Sequence, residues 1–203
     1  KIAYSERRKY LQGRELDSVM NYPLKEAIID YVLSGNTKQL RETIALLMDH
    51  YPKQSLDVLM NILGTHDTAR ILTALGGKTC LSKDEMAVTK LTEREKALAK
   101  EKLMLAAVLQ FTLPGVPCIY YGDENGMEGY RDPFCRRCFD WTNTDGELLS
   151  FYRKLGRLRS CNPEFSDGEY KEIFADEHCL VYARTKQNRS VYVYINNSYS
   201  TYN

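Results

Sequence analysis

The chain has 203 residues, of which 43% are hydrophobic and 27% are charged, a composition typical of a globular protein with a core of its own. Its 28 basic and 27 acidic residues leave a net charge of +1, which gives no electrostatic reason to expect nucleic acid or an anionic membrane as a partner. No stretch has the length and apolarity of a transmembrane helix, and the N-terminus lacks the apolar core of a signal peptide. The chain does not begin with Met, so we expect it to come from within a longer protein, which we place in the cytoplasm.

The first fifty residues predict one strand and two helices. Residues 16–22 (LDSVMNY) form a short apolar run that predicts a buried strand. Residues 24–33 carry apolar side chains at helical spacing. Residues 36–50 have a single apolar stripe, with Asn36 as the predicted N-cap.

The middle of the chain repeats this alternation of strand and helix. Residues 56–63 and 115–122 are apolar runs that predict two more buried strands. Residues 92–112 between them are the strongest helix signal, because Thr92 and Glu95 match a capping box. The apolar runs are continuous rather than alternating, as in parallel strands covered on both faces.

The last third of the chain changes character. A long polar segment after Gly122 predicts a functional loop, and residues 147–160 predict an amphipathic helix. From Tyr170 onwards, three alternating segments predict short antiparallel strands. We therefore expect one domain over residues 1–165 and the start of a β-rich domain over residues 166–203.

Repeated strand-helix units fit either an open doubly wound sheet or part of a (β/α)8 barrel. No glycine-rich nucleotide motif follows a strand, which disfavours the open sheet. In a barrel, chemistry is expected where strands end, and His66 with Asp67 follows the second predicted strand. From position alone, Asp67 is equally well explained as the N-cap of a helix.

Six cysteines, at positions 80, 118, 135, 138, 161 and 179, predict free thiols in a reducing compartment. Cys135 and Cys138 have C-x-x-C spacing, but one such pair without a second His or Cys pair is weak support for zinc. We expect no metal site and no cofactor.

Four segments together resemble the α-amylase family of glycoside hydrolases, and specifically its cyclomaltodextrinase, neopullulanase and maltogenic amylase branch. They occur in the order and rough spacing of that branch: LDSVMNYPLKEAI, MNILGTHDTARILT, QFTLPGVPCIYYGDENGM and DPFCRRCFDW. The resemblance extends from about residue 7 to residue 197. It implies that the three predicted strands are strands six to eight of a (β/α)8 barrel, followed by the start of an antiparallel C-terminal domain.

The resemblance also implies roles for individual residues. Asp67 would be the carboxylate that binds ring hydroxyls of the glucose at the cleavage point and stabilises the oxocarbenium-like transition state, and His66 would bind the same sugar. Asp132 and Arg136 match a D-P-x-x-R pattern that holds the next glucose. The alternative is an ion pair that only orders the loop. Trp141 and the 15 tyrosines have aromatic faces that suit stacking on sugar rings, but most of them are better explained as core and strand residues. Tyr22 is the aromatic candidate for the site.

The family's nucleophilic Asp and acid/base Glu belong to segments that this sequence does not match. We therefore expect the parent to be a retaining hydrolase of α-1,4-glucans such as cyclodextrins, maltooligosaccharides or pullulan, and this chain alone to be inactive. The alternative function is a non-catalytic glucan-binding or interaction module. We also expect a partial barrel to self-associate, and the parent to be a possible homodimer. Residues 78–102, longer than in several relatives, have no functional explanation.

Overall fold

The computed structural model describes residues 10–11, 15–79 and 81–198. Their helices, in chain order, are α1 (Tyr22–Ser34), α2 (Lys38–His50), α3 (Lys53–Leu56), α4 (Ile71–Gly76), α5 (Lys83–Val88), α6 (Glu93–Thr112), α7 (Gly146–Cys161) and α8 (Glu164–Asp167). Their strands are β1 (Met60–Ile62), β2 (Val116–Cys118), β3 (Glu169–Ala175), β4 (Cys179–Lys186) and β5 (Arg189–Asn196). None of the helices in this part of the chain is both long and apolar enough to cross a membrane.

Strands β1 and β2 pair in parallel, with Met60 opposite Val116 and Ile62 opposite Cys118. The predicted strand over residues 16–22 is wrong in extent, because only a single bridge between Met20 and Met60 forms there. The physical reason is the helix that follows. The side chain of Asn21 accepts a hydrogen bond from the Leu24 N–H and caps α1, so the helix already begins at Tyr22.

Helix α6 lies at the centre of the helical part and packs against α1, α4 and α7. Leu103, Ala106 and Leu109 of α6 are completely buried. Burying an aliphatic side chain of leucine size contributes about 1.5–3 kcal/mol. This packing explains why the helix is stable although its first turns are charged and exposed.

Strands β3, β4 and β5 form an antiparallel sheet in that order, which confirms the strands predicted after Tyr170. Along β5, Val193 and Ile195 are buried, whereas Tyr192 and Tyr194 are exposed, as the alternation predicts. The sheet is tied to the helical part by the buried Arg184. Its Nη1 donates to the Thr112 carbonyl at the end of α6 at 2.8 Å, and its Nη2 donates to the Gly168 carbonyl at 3.0 Å.

The predicted capping box of α6 is confirmed, but the predicted cap of α2 is wrong. In α6, Thr92 Oγ1 accepts from the Glu95 N–H, and Glu95 Oε2 accepts from the Thr92 N–H. Helix α2 begins after Thr37 instead of Asn36. The Asn36 side chain accepts from the Lys38 N–H two residues on, which closes a local turn before the helix.

Replacing Thr92 with Ala is expected to lower the free energy of unfolding by about 1 kcal/mol, because the Glu95 N–H loses its acceptor. Urea denaturation followed by circular dichroism measures the change. The matched control is Ser82→Ala, which removes the same box from α5, a six-residue helix with Met86 as its one buried residue. Since α5 packs little, its loss should matter less. Equal losses of unfolding free energy in Thr92→Ala and Ser82→Ala would contradict the conclusion that α6 is the central helix of the packing.

Candidate sugar-binding site

His66 and Asp67 lie in the turn that follows β1. The turn is closed by Thr65, whose Oγ1 accepts from the Asp67 N–H at 3.2 Å and lies 3.1 Å from Thr68 Oγ1. His66 Nε2 and Asp67 Oδ1 are 3.2 Å apart, and both side chains are more than half exposed. The alternative in which Asp67 caps a helix is wrong, because α4 begins later, at Ile71, and its N-cap is Arg70.

Arg136 joins this turn to the loop after β2. Its Nε lies 2.7 Å from Asp132 Oδ1 and donates to the His66 carbonyl at 3.0 Å, while its Nη2 is 3.6 Å from Asp67 Oδ1. Four of the predicted site residues therefore form one exposed cluster with two carboxylates, one guanidinium and one imidazole. The ion pair between Asp132 and Arg136 is formed, and the same geometry leaves other guanidinium donors for a ligand.

Cys135 contributes a contact that the sequence did not suggest. Its thiol is buried and donates to the His66 carbonyl at 3.2 Å, so it shares that acceptor with Arg136. Cys138, its partner in the C-x-x-C spacing, is exposed. The described cysteines are free thiols, and Cys80 lies outside the described residues. Across the described ranges, no group of three or more His, Cys, Asp or Glu side chains is arranged to hold a metal ion.

Tyr22 and Trp141 lie differently from the four-residue cluster. Tyr22 is half-buried in the first turn of α1, and no hydrogen bond or ring contact joins it to the cluster within the described part of the chain. Its role in the site stays a prediction. Trp141 is 81% exposed, and its ring lies against that of Phe139 with ring centroids 4.5 Å apart, so it is not a core residue.

Two buried charged residues, Arg70 and Asp123, lie at the ends of the turn that carries His66 and Asp67. Arg70 Cζ is 4.4 Å from the ring centroids of both Tyr120 and Tyr121, and its Nη1 is 3.8 Å from Asp123 Oδ1. Burial raises the pKa of Asp123 to about 7, with the Arg70 charge lowering it and the Glu124 charge raising it. Sequence analysis missed Arg70, although a charged residue directly before the apolar run ILTAL was a usable signal.

The family model described as the alpha amylase catalytic domain matches residues 3–184. The chain belongs to the α-amylase family. It is 33% identical over 194 residues to a cyclomaltodextrinase of Bacillus sp, covering 93% of this chain and 31% of that protein. It is 35% identical over 194 residues to neopullulanase 2 of Thermoactinomyces vulgaris, covering 93% of this chain and 30% of that protein.

A solved structure of a cyclomaltodextrinase superposes on this α-amylase family chain with a TM-score of 0.79 at 32% identity, covering 96% of this chain and 31% of that one. The resemblance seen in the sequence is therefore confirmed, and the chain is a partial α/β piece of that family's barrel fold. It spans about a third of the length of this cyclomaltodextrinase and this neopullulanase.

Proposed function

We propose that this chain supplies strands six to eight of the (β/α)8 barrel of a retaining α-glucan hydrolase, with the start of a C-terminal β domain from residue 166. The substrate class is cyclodextrins, maltooligosaccharides or pullulan, in line with the names of the cyclomaltodextrinase and neopullulanase relatives. The observation that carries the proposal is the convergence of His66, Asp67, Asp132 and Arg136 after two parallel strands. In a barrel, substrate-binding groups come from this end of the strands.

Asp67 acts on the glucose at the cleavage point as an acceptor for ring hydroxyls. Contacts to these hydroxyls strengthen as the ring flattens, so they lower the barrier instead of merely tightening binding. His66 Nε2 lies 3.2 Å from Asp67 Oδ1, close enough to hold the carboxylate in place through a hydrogen bond from the imidazole. The carboxylate thus stays oriented before the substrate arrives.

Asp132 and Arg136 hold the neighbouring glucose. The ion pair between them fixes the guanidinium, and Arg136 keeps a side-chain exposure of 48%, so its remaining N–H groups are available to sugar hydroxyls. The ion pair with Asp132 and sugar binding by Arg136 are therefore compatible, because the ion pair holds the guanidinium in the position from which it binds the sugar.

We propose that the nucleophile and the general acid come from another part of the parent protein. A retaining glycosidase needs two carboxyl groups about 5 Å apart that reach the scissile bond. Asp123 is only 2% exposed, so its carboxylate is enclosed by protein instead of open to a sugar. Asp67 and Asp132 both face Arg136, which suits acceptors of hydroxyl groups better than a proton donor.

The test is hydrolysis of maltotriose and β-cyclodextrin by the purified chain, alone and mixed with the upstream portion encoded by its gene. New reducing ends are expected only from the mixture. Hydrolysis by the chain alone would overturn the assignment of the catalytic pair to another part of the protein. A mixture that binds β-cyclodextrin without cleaving it would instead identify a non-catalytic glucan-binding module.

A further inference from the structure

We propose that Asp123 and Arg70 are positioning residues, which hold the turn bearing His66 and Asp67 from beneath and so set the geometry of the sugar contacts. This inference rests on the proposed function, because it assigns a purpose to the orientation of that pair. Neither residue touches the sugar in this scheme. Both are buried, Arg70 at 0% and Asp123 at 2% exposure.

Asp123 fixes the start of the turn through Gly64. A Cβ atom added to Gly64 would lie 2.3 Å from Asp123 Oδ2 and 2.8 Å from Oδ1, closer than packed atoms approach. The carboxylate therefore lies directly against the backbone where β1 leads into the turn, and this contact with the Gly64 backbone lowers the pKa of the Asp123 carboxyl. A shift of the carboxylate would move the backbone two residues before His66.

Arg70 fixes the end of the same turn. Its backbone N–H donates to the Gly129 carbonyl at 2.8 Å, and its guanidinium contacts the rings of Tyr120 and Tyr121 and donates to the Tyr121 carbonyl. Only residues 65–69 lie between the two anchors. A segment this short, held at both ends, takes its shape from the anchors.

The two anchors are coupled by charge. Arg70 Nη1 lies 3.8 Å from Asp123 Oδ1, and the other charged groups that act on Asp123 are Glu124 and Lys25. Burial raises the pKa of Asp123 to about 7, the Arg70 and Lys25 charges lower it, and the Glu124 charge raises it. Tyr152 stays a neutral phenol beside this group, because burial and then the Asp123 and Glu124 charges raise its pKa. Protonation of Asp123 removes the charge that attracts Arg70 and the Gly64 N–H, so the turn should change shape near neutral pH.

The test uses nuclear magnetic resonance on the whole chain. The Asp123 carboxyl carbon and the Thr65 and Asp67 amides are followed between about pH 5 and about pH 9. We expect all three signals to inflect together near pH 7, and the amide inflections at that pH to disappear in Asp123→Asn. The matched control is Glu164→Gln, which removes another buried carboxylate, one paired with Arg189 at 3.1 Å, and should leave both amides unchanged.

A role in stability alone predicts a different result. In that case Asp123→Asn would change the midpoint of unfolding while the Thr65 and Asp67 amides kept their wild-type shifts and pH profiles, and the proposal would be overturned. If the variant does not fold, the unmodified chain decides: an inflection of the carboxyl carbon with flat amide profiles contradicts the coupling. Neither NMR measurement depends on hydrolysis. If the turn changes shape with pH but the chain mixed with the upstream portion never hydrolyses a glucan, the proposed function is refuted and the positioning role is not.

Discussion

Asp67→Asn in the complete parent protein is expected to lower kcat for β-cyclodextrin by about 10²–10³-fold, with KM nearly unchanged. Asn keeps the shape of the side chain but removes the negative charge. In the role proposed for Asp67, the lost contact strengthens as positive charge develops on the flattened sugar ring, so its removal raises the barrier more than it weakens binding of the ground state. Steady-state hydrolysis measured by reducing ends gives both parameters.

The matched control for this prediction is Asp132→Asn, the same chemical change within the same cluster. Asp132 is 2.7 Å from Arg136 Nε and holds the residue proposed to bind the neighbouring glucose. That variant should raise KM several-fold with a smaller loss of kcat, because binding remote from the cleaved bond is the same in ground and transition states. Equal effects of the two substitutions would mean that Asp67 is a binding residue and not a transition-state stabiliser.

Local signals in the sequence were sufficient for the elements whose stability is local. The box formed by Thr92 and Glu95 predicted where α6 begins, because both partners lie within four residues. The alternation in β5 predicted which side chains face the core, since Val193 and Ile195 are buried and Tyr192 is exposed. In both cases the interactions that decide the structure are close in the sequence.

The site was only partly predictable, because its supporting contacts connect distant residues. The exposed cluster could be located through the resemblance to the family, but the contact between Cys135 and the His66 carbonyl spans 69 positions. The same holds for Arg70 and Asp123, which meet only after β1 and β2 pair. No pattern of hydrophobic periodicity reports that a charged side chain will be enclosed by two tyrosine rings.

Asp123→Asn is expected to stabilise the chain relative to the wild type as pH rises from about 4 to about 7, by up to about 4 kcal/mol. Burial raises the pKa of Asp123 from 3.8 to about 7 in the folded chain. Between these values the folded state binds a proton that the unfolded state has already released. The wild type therefore loses stability as pH rises through this window, and the loss is complete above about pH 7. Asn does not titrate and escapes this loss.

Urea denaturation of Asp123→Asn and the wild type at several pH values tests this prediction. The difference between their free energies of unfolding removes the titration of the groups they share.

Asp145→Asn provides a control of opposite sign. Although burial raises the pKa of Asp145, the Lys100 ammonium and the Leu148 N–H lower it more, so this carboxylate adds stability above about pH 4. Asp145→Asn should therefore lose stability relative to the wild type as pH rises, whereas Asp123→Asn gains it. If the free energies of unfolding of Asp123→Asn and the wild type change in parallel with pH, the buried carboxylate does not lower stability at neutral pH. That result would contradict this prediction. A measured cost at neutral pH would mean that the fold retains a destabilising charge where it contacts the turn bearing His66 and Asp67, as expected of a group kept for function.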